Sequence, residues 1–282
     1  MSKKLILQGP AASQDVLAQV AALAGARSTT AIHAHALRCD GVDFTPALKA
    51  SVDAAAEQAG IDATFIDADR KLADFKLVAM DMDSTLITIE CIDEIADMQG
   101  LKPQVSAITE AAMRGELDFS ESLKRRVALL EGLPVEALGR VYEERLHISP
   151  GGEAMLQAVQ AAGLKTLLVS GGFTFFTERL QARLGLDTVH ANLLEEQDGK
   201  LTGRVVGGIV DAEEKMRTVQ RVCAELGIAP SQAIVMGDGA NDLKMMGIAG
   251  LSVAFRAKPV VRAQADVALN FSGLDGLLAI LA

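Results

Sequence analysis

Leu77-Val-Ala-Met-Asp81-Met-Asp-Ser-Thr85 decides how this chain folds. Four apolar residues in a row, without polar alternation, suit a strand buried on both faces of a parallel sheet. Acids follow at once, where an open α/β sheet binds ligands, beyond the carboxyl ends of its strands. Similar apolar runs lie at 166–169, 233–236, 251–254 and 267–269. Helical stretches over 152–162, 173–184, 212–226 and 258–265 separate them. Strands alternating with helices predict right-handed crossovers and a doubly wound α/β sheet. Residues 190–210, with Asp198-Gly199 in the middle, read as a β-hairpin.

Outward from this core, two regions break the alternation. A long insert, about residues 91–150, carries several helical stretches punctuated by Pro103, Gly115, Gly132-Leu-Pro134 and Pro150-Gly-Gly152. It predicts a helical cap over the sheet edge. Residues 1–75 have a different pattern. Leu5-Ile6-Leu7 reads as a strand, and 13–25 as an Ala-rich helix closed by Gly25. Residues 31–38 read as one strand with His33 and His35 on a shared face. Thr45-Pro46 opens a second helix that ends at Gly60, before a strand over 61–66. This order predicts a small α+β ferredoxin-like unit, with the core beginning at residue 76.

Composition narrows the function classes. Of 282 residues, 50% are apolar and 23% charged, so a large core can form and wholesale disorder is excluded. The net charge is −10 and no basic stripe occurs, which disfavours nucleic acid and anionic membrane surfaces as partners. No Trp and one Tyr provide no base-stacking platform. The opening Met1-Ser-Lys-Lys-Leu-Ile-Leu-Gln-Gly-Pro10 has only three consecutive apolar residues, too few for a signal peptide, and no stretch suits a membrane span. Cys39, Cys91 and Cys223 form no disulfide framework, as expected of a cytoplasmic chain.

The chemistry should therefore sit just after each apolar run. The first is followed by Asp81-Met-Asp83, the second by Ser170-Gly171-Gly172, the third by Gly237-Asp238-Gly-Ala-Asn241-Asp242. Four carboxylates brought to one sheet edge would repel one another and raise each other's pKa values unless a cation joins them. Lys215 is one such cation, and a hard divalent metal bound by oxygens is the other. No GxSxG and no P-loop sequence accompanies them.

Together DMDST, Ser170-Gly-Gly, Lys215 and GDGANDLKM resemble the four motifs of the haloacid dehalogenase superfamily. Asp81 to Ala96, DMDSTLITIECIDEIA, and Met113 to Leu133, MRGELDFSESLKRRVALLEGL, are similar to the phosphoserine phosphatases within it. The resemblance covers about residues 75–282. At the N-terminus there is only a loose, architectural likeness to ACT-like regulatory domains. The family implies a Mg²⁺-dependent hydrolysis of phosphoserine, the last step of serine synthesis. Asp81 would be the nucleophile that forms an aspartyl-phosphate, and Asp83 the general acid and base. By resemblance, Asp238 binds Mg²⁺ with Asp81 and the Asp83 carbonyl, and Asp242 supports the metal shell or Lys215. Ser170, the Gly171 N–H, Lys215 and Asn241 would handle the phosphate. Glu90 suits the substrate ammonium and Arg126 its carboxylate. Met113 and Phe119 match cap positions that close over the ligand. Transfer of the phosphoryl group to another alcohol such as homoserine, turnover of another small phosphomonoester, and a non-catalytic amino-acid sensor are the competing readings. A homodimer, or an effector site in residues 1–75, is a further expectation.

Overall fold

The structure, a computed structural model, describes residues 2–113 and 116–282. The N-terminal segment runs β1 (Lys3–Gln8), α1 (Gln14–Leu23), β2 (Ser28–His33), β3 (Ala36–Val42), α2 (Pro46–Ala59) and β4 (Asp62–Asp67). Its sheet is antiparallel with order β2-β3-β1-β4, the ferredoxin-like arrangement expected. The helix ends follow their sequence signals. Ser13 and Thr45 accept the N–H groups of Val16 and Leu48, Pro46 occupies the first turn, and Gly60 closes α2 at φ 67°. One expectation fails. Residues 31–38 are not one strand but a hairpin turning at Ala34-His35, so His33 and His35 share no strand face. Instead the His33 Nδ1 accepts the His35 N–H, and the His35 ring bonds the Ala12 carbonyl at 2.9 Å.

The main sheet contains β5 (Leu77–Met80), β6 (Lys165–Phe173), β7 (Thr188–Gln197), β8 (Lys200–Val206), β9 (Ala233–Gly237), β10 (Leu251–Phe255) and β11 (Val267–Leu269). Its order is β11-β10-β9-β5-β6-β7-β8, parallel except for β8. The four residues of β5 are all fully buried, which explains their unbroken hydrophobicity. Val78 and Met80 join the larger core with Ile234 and Leu168, whereas Leu77 and Ala79 face Leu167, Val219 and Val222 on the other side. The β7–β8 turn uses Asp198 and Gly199 at φ 53° and 74°, the left-handed pair that a tight hairpin requires.

Helices α7 (Gly152–Ala161), α8 (Thr174–Leu184) and α9 (Ala212–Glu225) lie close to expectation, but the last helix before β11, α11 (Pro259–Arg262), is much shorter. Two short helices, α10 (Leu243–Met246) and α12 (Gly276–Ile280), complete this part. The insert forms α3 (Cys91–Met98), α4 (Lys102–Met113), α5 (Phe119–Ala128) and α6 (Glu136–Glu144). Its two connections to the core are paired through an antiparallel bridge between Ile87 and Ile148, flanked by Thr88 N–H to His147 O and Ser149 N–H to Leu86 O.

Edge strands β4 and β11 bring the two sheets together. Buried Asp62, at the start of β4, accepts the N–H groups of Asn270, Phe271 and Ser272 at 2.7–3.3 Å. A hydrogen bond to a charged acceptor stabilises by about 1.5–3 kcal/mol. Strand β1 serves both layers: Leu5 and Leu7 pack under α1 and α2, while Ile6 enters the main core. On that second face Lys4 donates to the Arg70 and Ala282 carbonyls, and Gln8 to the Gly276 carbonyl.

Candidate active site

The strand ends of β5, β6 and β9 converge as the sequence implies. Asp81 follows β5 directly and is 5% exposed, with Oδ1 accepting the Met82 N–H at 2.7 Å. Its Oδ2 lies 2.6 Å from Lys215 Nζ. Lys215, on the first turn of α9, is fully buried and also donates to Asp242 Oδ1 at 2.8 Å. The other Asp242 oxygen accepts the N–H groups of Asp238 and Gly239. Thr85 donates to Asp238 Oδ1 at 3.1 Å and so ties the first acidic segment to the last. Oxygens of Asp81, Asp238 and Asp242 all lie within 4.8 Å of one another. The Asp83 carboxylate stands outside this trio and accepts the Cys91 N–H at 3.1 Å.

Charge in this cluster is unbalanced, because three carboxylates share one ammonium. Burial, reinforced by Asp242, holds Asp81 well above the usual carboxylate range, with Lys215 pulling the other way. Burial and then Asp242 push Asp238 up to about 6. Burial and then Glu90 push Asp83 up to about 7, against the Cys91 N–H, which favours its ionised form. Burial alone would lower the pKa of Lys215, but the two aspartates outweigh it and raise it.

Above the trio opens a cavity of about 600 Å³. Its wall contains Asp81, Asp83, Glu90, Phe119, Arg126, Ser170, Gly171, Asp238 and Asn241, all anticipated from the sequence. Lys215 and Asp242 are not in that wall; they lie behind Asp81. The side chain of Met113, expected at the cap's edge, lies outside the described residues, as do Arg114 and Gly115 of the second family-like segment. Ser170 is fully buried and its Oγ accepts the Gly172 N–H at 2.8 Å. The two glycines that follow are required by space. A Cβ on Gly171 would meet Phe119 Cζ at 2.9 Å, and one on Gly172 would meet Asp83 Oδ2 at 2.6 Å. Ser84, at φ 55°, turns the chain after Asp83 and donates to Glu90 Oε1 at 2.7 Å.

Sequence reasoning missed Asn192. This buried residue of β7 donates to the Gly171 carbonyl at 2.7 Å and accepts the Val210 N–H at 2.8 Å, so it fixes the glycine loop from behind. Its only signal is an amide set between Ala191 and Leu193-Leu194 in the middle of the strand. Lys258 also lines the cavity; the sequence marks it only as a helix start.

The haloacid dehalogenase-like hydrolase profile matches residues 78–247. A phosphoserine phosphatase of Polaromonas sp. is 60% identical over 215 residues, covering 74% of this chain and 91% of that protein. Among solved structures, a HAD-family hydrolase from Salmonella enterica serovar Typhi superposes with a TM-score of 0.89 at 33% identity, over 100% of this chain and 99% of that one. A phosphoserine phosphatase solved as an analogue of its phospho-aspartyl intermediate gives 0.69 at 37% identity, over 74% and 99% of the two chains. A profile spanning well over half the sequence, together with relatives matched along nearly their full length, places this chain in the family of haloacid dehalogenase-like hydrolases.

Proposed function

We propose that this protein is a Mg²⁺-dependent phosphoserine phosphatase, which hydrolyses O-phospho-L-serine to L-serine and phosphate through an aspartyl-phosphate on Asp81. One observation carries the reading: a single cavity gathers a nucleophile and a pair of opposite charges suited to a zwitterion. Asp81, Ser170 and Gly171 line it together with Glu90 and Arg126, one negative and one positive group. The resemblance to phosphoserine phosphatases of both sequence and fold supports it.

The donor set suits Mg²⁺, since it consists of carboxylate oxygens close enough to share one ion. Asp81 and Asp238 would hold it with the Asp83 carbonyl, while Asp242, already engaged by Lys215 and two N–H groups, supports from behind. When bound, the ion supplies positive charge that offsets the phosphate's negative charge. An Asp81 carboxylate oxygen then bonds phosphorus as the bond from phosphorus to the serine oxygen breaks. Asp83, whose proton is held near neutral pH, gives that proton to the departing oxygen. In the second half, water attacks phosphorus, the bond to Asp81 breaks, and Asp83 takes the water's proton. Ser170 Oγ, the Gly171 N–H and Asn241 hold the phosphoryl oxygens, Lys215 steadies Asp81, Glu90 takes the ammonium and Arg126 the carboxylate. Phe119 covers the ligand.

The test is phosphate release from a panel of phosphomonoesters with Mg²⁺ present. Phosphoserine is expected to exceed phosphothreonine and sugar phosphates by at least about 100-fold in kcat/KM, the equivalent of about 2.7 kcal/mol. Equal turnover across the panel, or release strictly dependent on added homoserine, would overturn the assignment.

The same carboxylates set an expected pH dependence. Asp81, Asp83 and Asp238 have folded pKa values above their unfolded ones, so the folded metal-free chain binds more protons. Its stability therefore falls as pH rises from about 4 to about 7. Mg²⁺ binds the deprotonated set, so its stabilisation grows across that window. At 100 times its Kd it should add about 2.7 kcal/mol, or a Tm rise of about 5–10 °C at pH 8 and much less at pH 5. Melting curves at both pH values, with and without Mg²⁺, check this.

We also read residues 1–75 as an ACT-like unit, on the strength of its element order and its β2-β3-β1-β4 sheet. The three buried, free cysteines suit a reducing cytoplasm.

A further inference from the structure

Two charged side chains in the cavity wall each bury an atom that has no partner. Asp93 Oδ1, on the first turn of α3, and Arg126 Nε, near the end of α5, are shielded from water and make no hydrogen bond among the described residues. Such an atom costs about 1–3 kcal/mol, and more when charged, so native proteins leave few of them. Here an acceptor and a donor of opposite charge are left over in the same cavity. They already sense each other. After its own burial, Asp93 is the strongest influence on the Arg126 guanidinium, ahead of Glu90 and Asp83. Arg126 in turn is the strongest cation acting on Asp93.

The surrounding helices fix what can move. Ile92 and Ile95 anchor α3 in the main core, and Leu123 and Val127 anchor α5. Within that frame the long, unbranched Arg126 side chain has the rotamer freedom to turn its Nε toward Asp93. Guanidinium chemistry then dictates a division of labour. If Nε–H is taken by Asp93, the two terminal nitrogens remain free and coplanar, the geometry that grips a carboxylate with two hydrogen bonds.

We propose that Asp93 is a positioning residue for substrate selection: with ligand in the cavity it accepts the Nε–H of Arg126 and orients the guanidinium so that its terminal nitrogens grip the substrate's carboxylate. This rests on the phosphoserine reading above. The proposal separates Asp93 from Glu90, which faces the ammonium. Asp93 is therefore needed only by substrates that carry a carboxylate.

The experiment compares O-phosphoserine with O-phosphoethanolamine, which keeps the ammonium and lacks the carboxylate, in wild type, Asp93→Ala, Asp93→Asn and Arg126→Ala. For Asp93→Ala we expect a KM for phosphoserine raised about tenfold, the effect of about 1.4 kcal/mol, with kcat within about twofold. Turnover of phosphoethanolamine should stay within about twofold, which also certifies folding. Asp93→Asn keeps an acceptor oxygen and should lose less, about threefold. Adding Asp93→Ala to Arg126→Ala should bring no further loss, because the two act as one unit. Equal losses on both substrates, no loss on either, or additive losses in the double variant would each overturn the proposal. Wild-type indifference to the carboxylate would instead overturn the substrate reading, and this inference with it.

Discussion

Asp81→Asn is expected to abolish phosphate release, with a loss of at least about 10⁴-fold in kcat, because it removes the group proposed to bond phosphorus. Asparagine has the same shape but a far weaker nucleophile, and no phosphorylated protein should be trapped by acid quench. The fold should survive. The Asn amide oxygen can accept from Met82 N–H or from Lys215, though not from both, and the change also removes one of three crowded negative charges. These effects oppose each other, so the melting temperature in the absence of Mg²⁺ should change little. Residual activity above about 1% of wild type, the scale left when a proton-transfer aid rather than a nucleophile is lost, would show that Asp81 is not the attacking group.

Lys215→Met should damage both stability and turnover. Among the described residues Lys215 is the one ammonium bonded to Asp81 and Asp242, and all three groups are buried. Methionine fills similar space without charge and leaves two carboxylates uncompensated. Breaking a buried pair from one side costs about 3–5 kcal/mol, or a Tm loss on the order of 10 °C for a chain of this size. Mg²⁺ should recover part of that loss, since it restores positive charge to the same cluster. Activity should fall at least about 100-fold even when metal is saturating, because Asp81 loses the donor that fixes its Oδ2. An unchanged Tm in metal-free buffer would mean that the lysine is not the cluster's electrostatic partner.

Much of this site could be read in the sequence because burial leaves a signature. The run Leu77–Met80 is apolar throughout since both faces of β5 are covered, and that places Asp81 at the carboxyl end of a central strand. In the Gly-rich segment after β9, Asp242 shares the Lys215 ammonium with Asp81. Helix ends at Ser13, Thr45 and Gly60 and the Asp198-Gly199 turn announce themselves through local backbone chemistry. The Ala34-His35 turn does not, because it is held from outside: Gln14 donates to the Ala34 carbonyl, Gly9 N–H to the His35 carbonyl, and the His35 ring bonds Ala12. No turn residue marks it. Asn192 was invisible for a similar reason, since its two partners are at residues 171 and 210. Lys215 was found as a cation, but its depth behind Asp81 follows from the packing of α9, which spacing alone does not reveal.

The missing side chain at Gly171 works as a mechanical stop. The Phe119 ring rests so close above this backbone that even one methyl group would strike it at 2.9 Å. The spacing between the glycine loop and the start of α5 is therefore set by a single hydrogen atom. A bulkier residue would have to push that ring, and the cap wall it belongs to, away from the glycine loop.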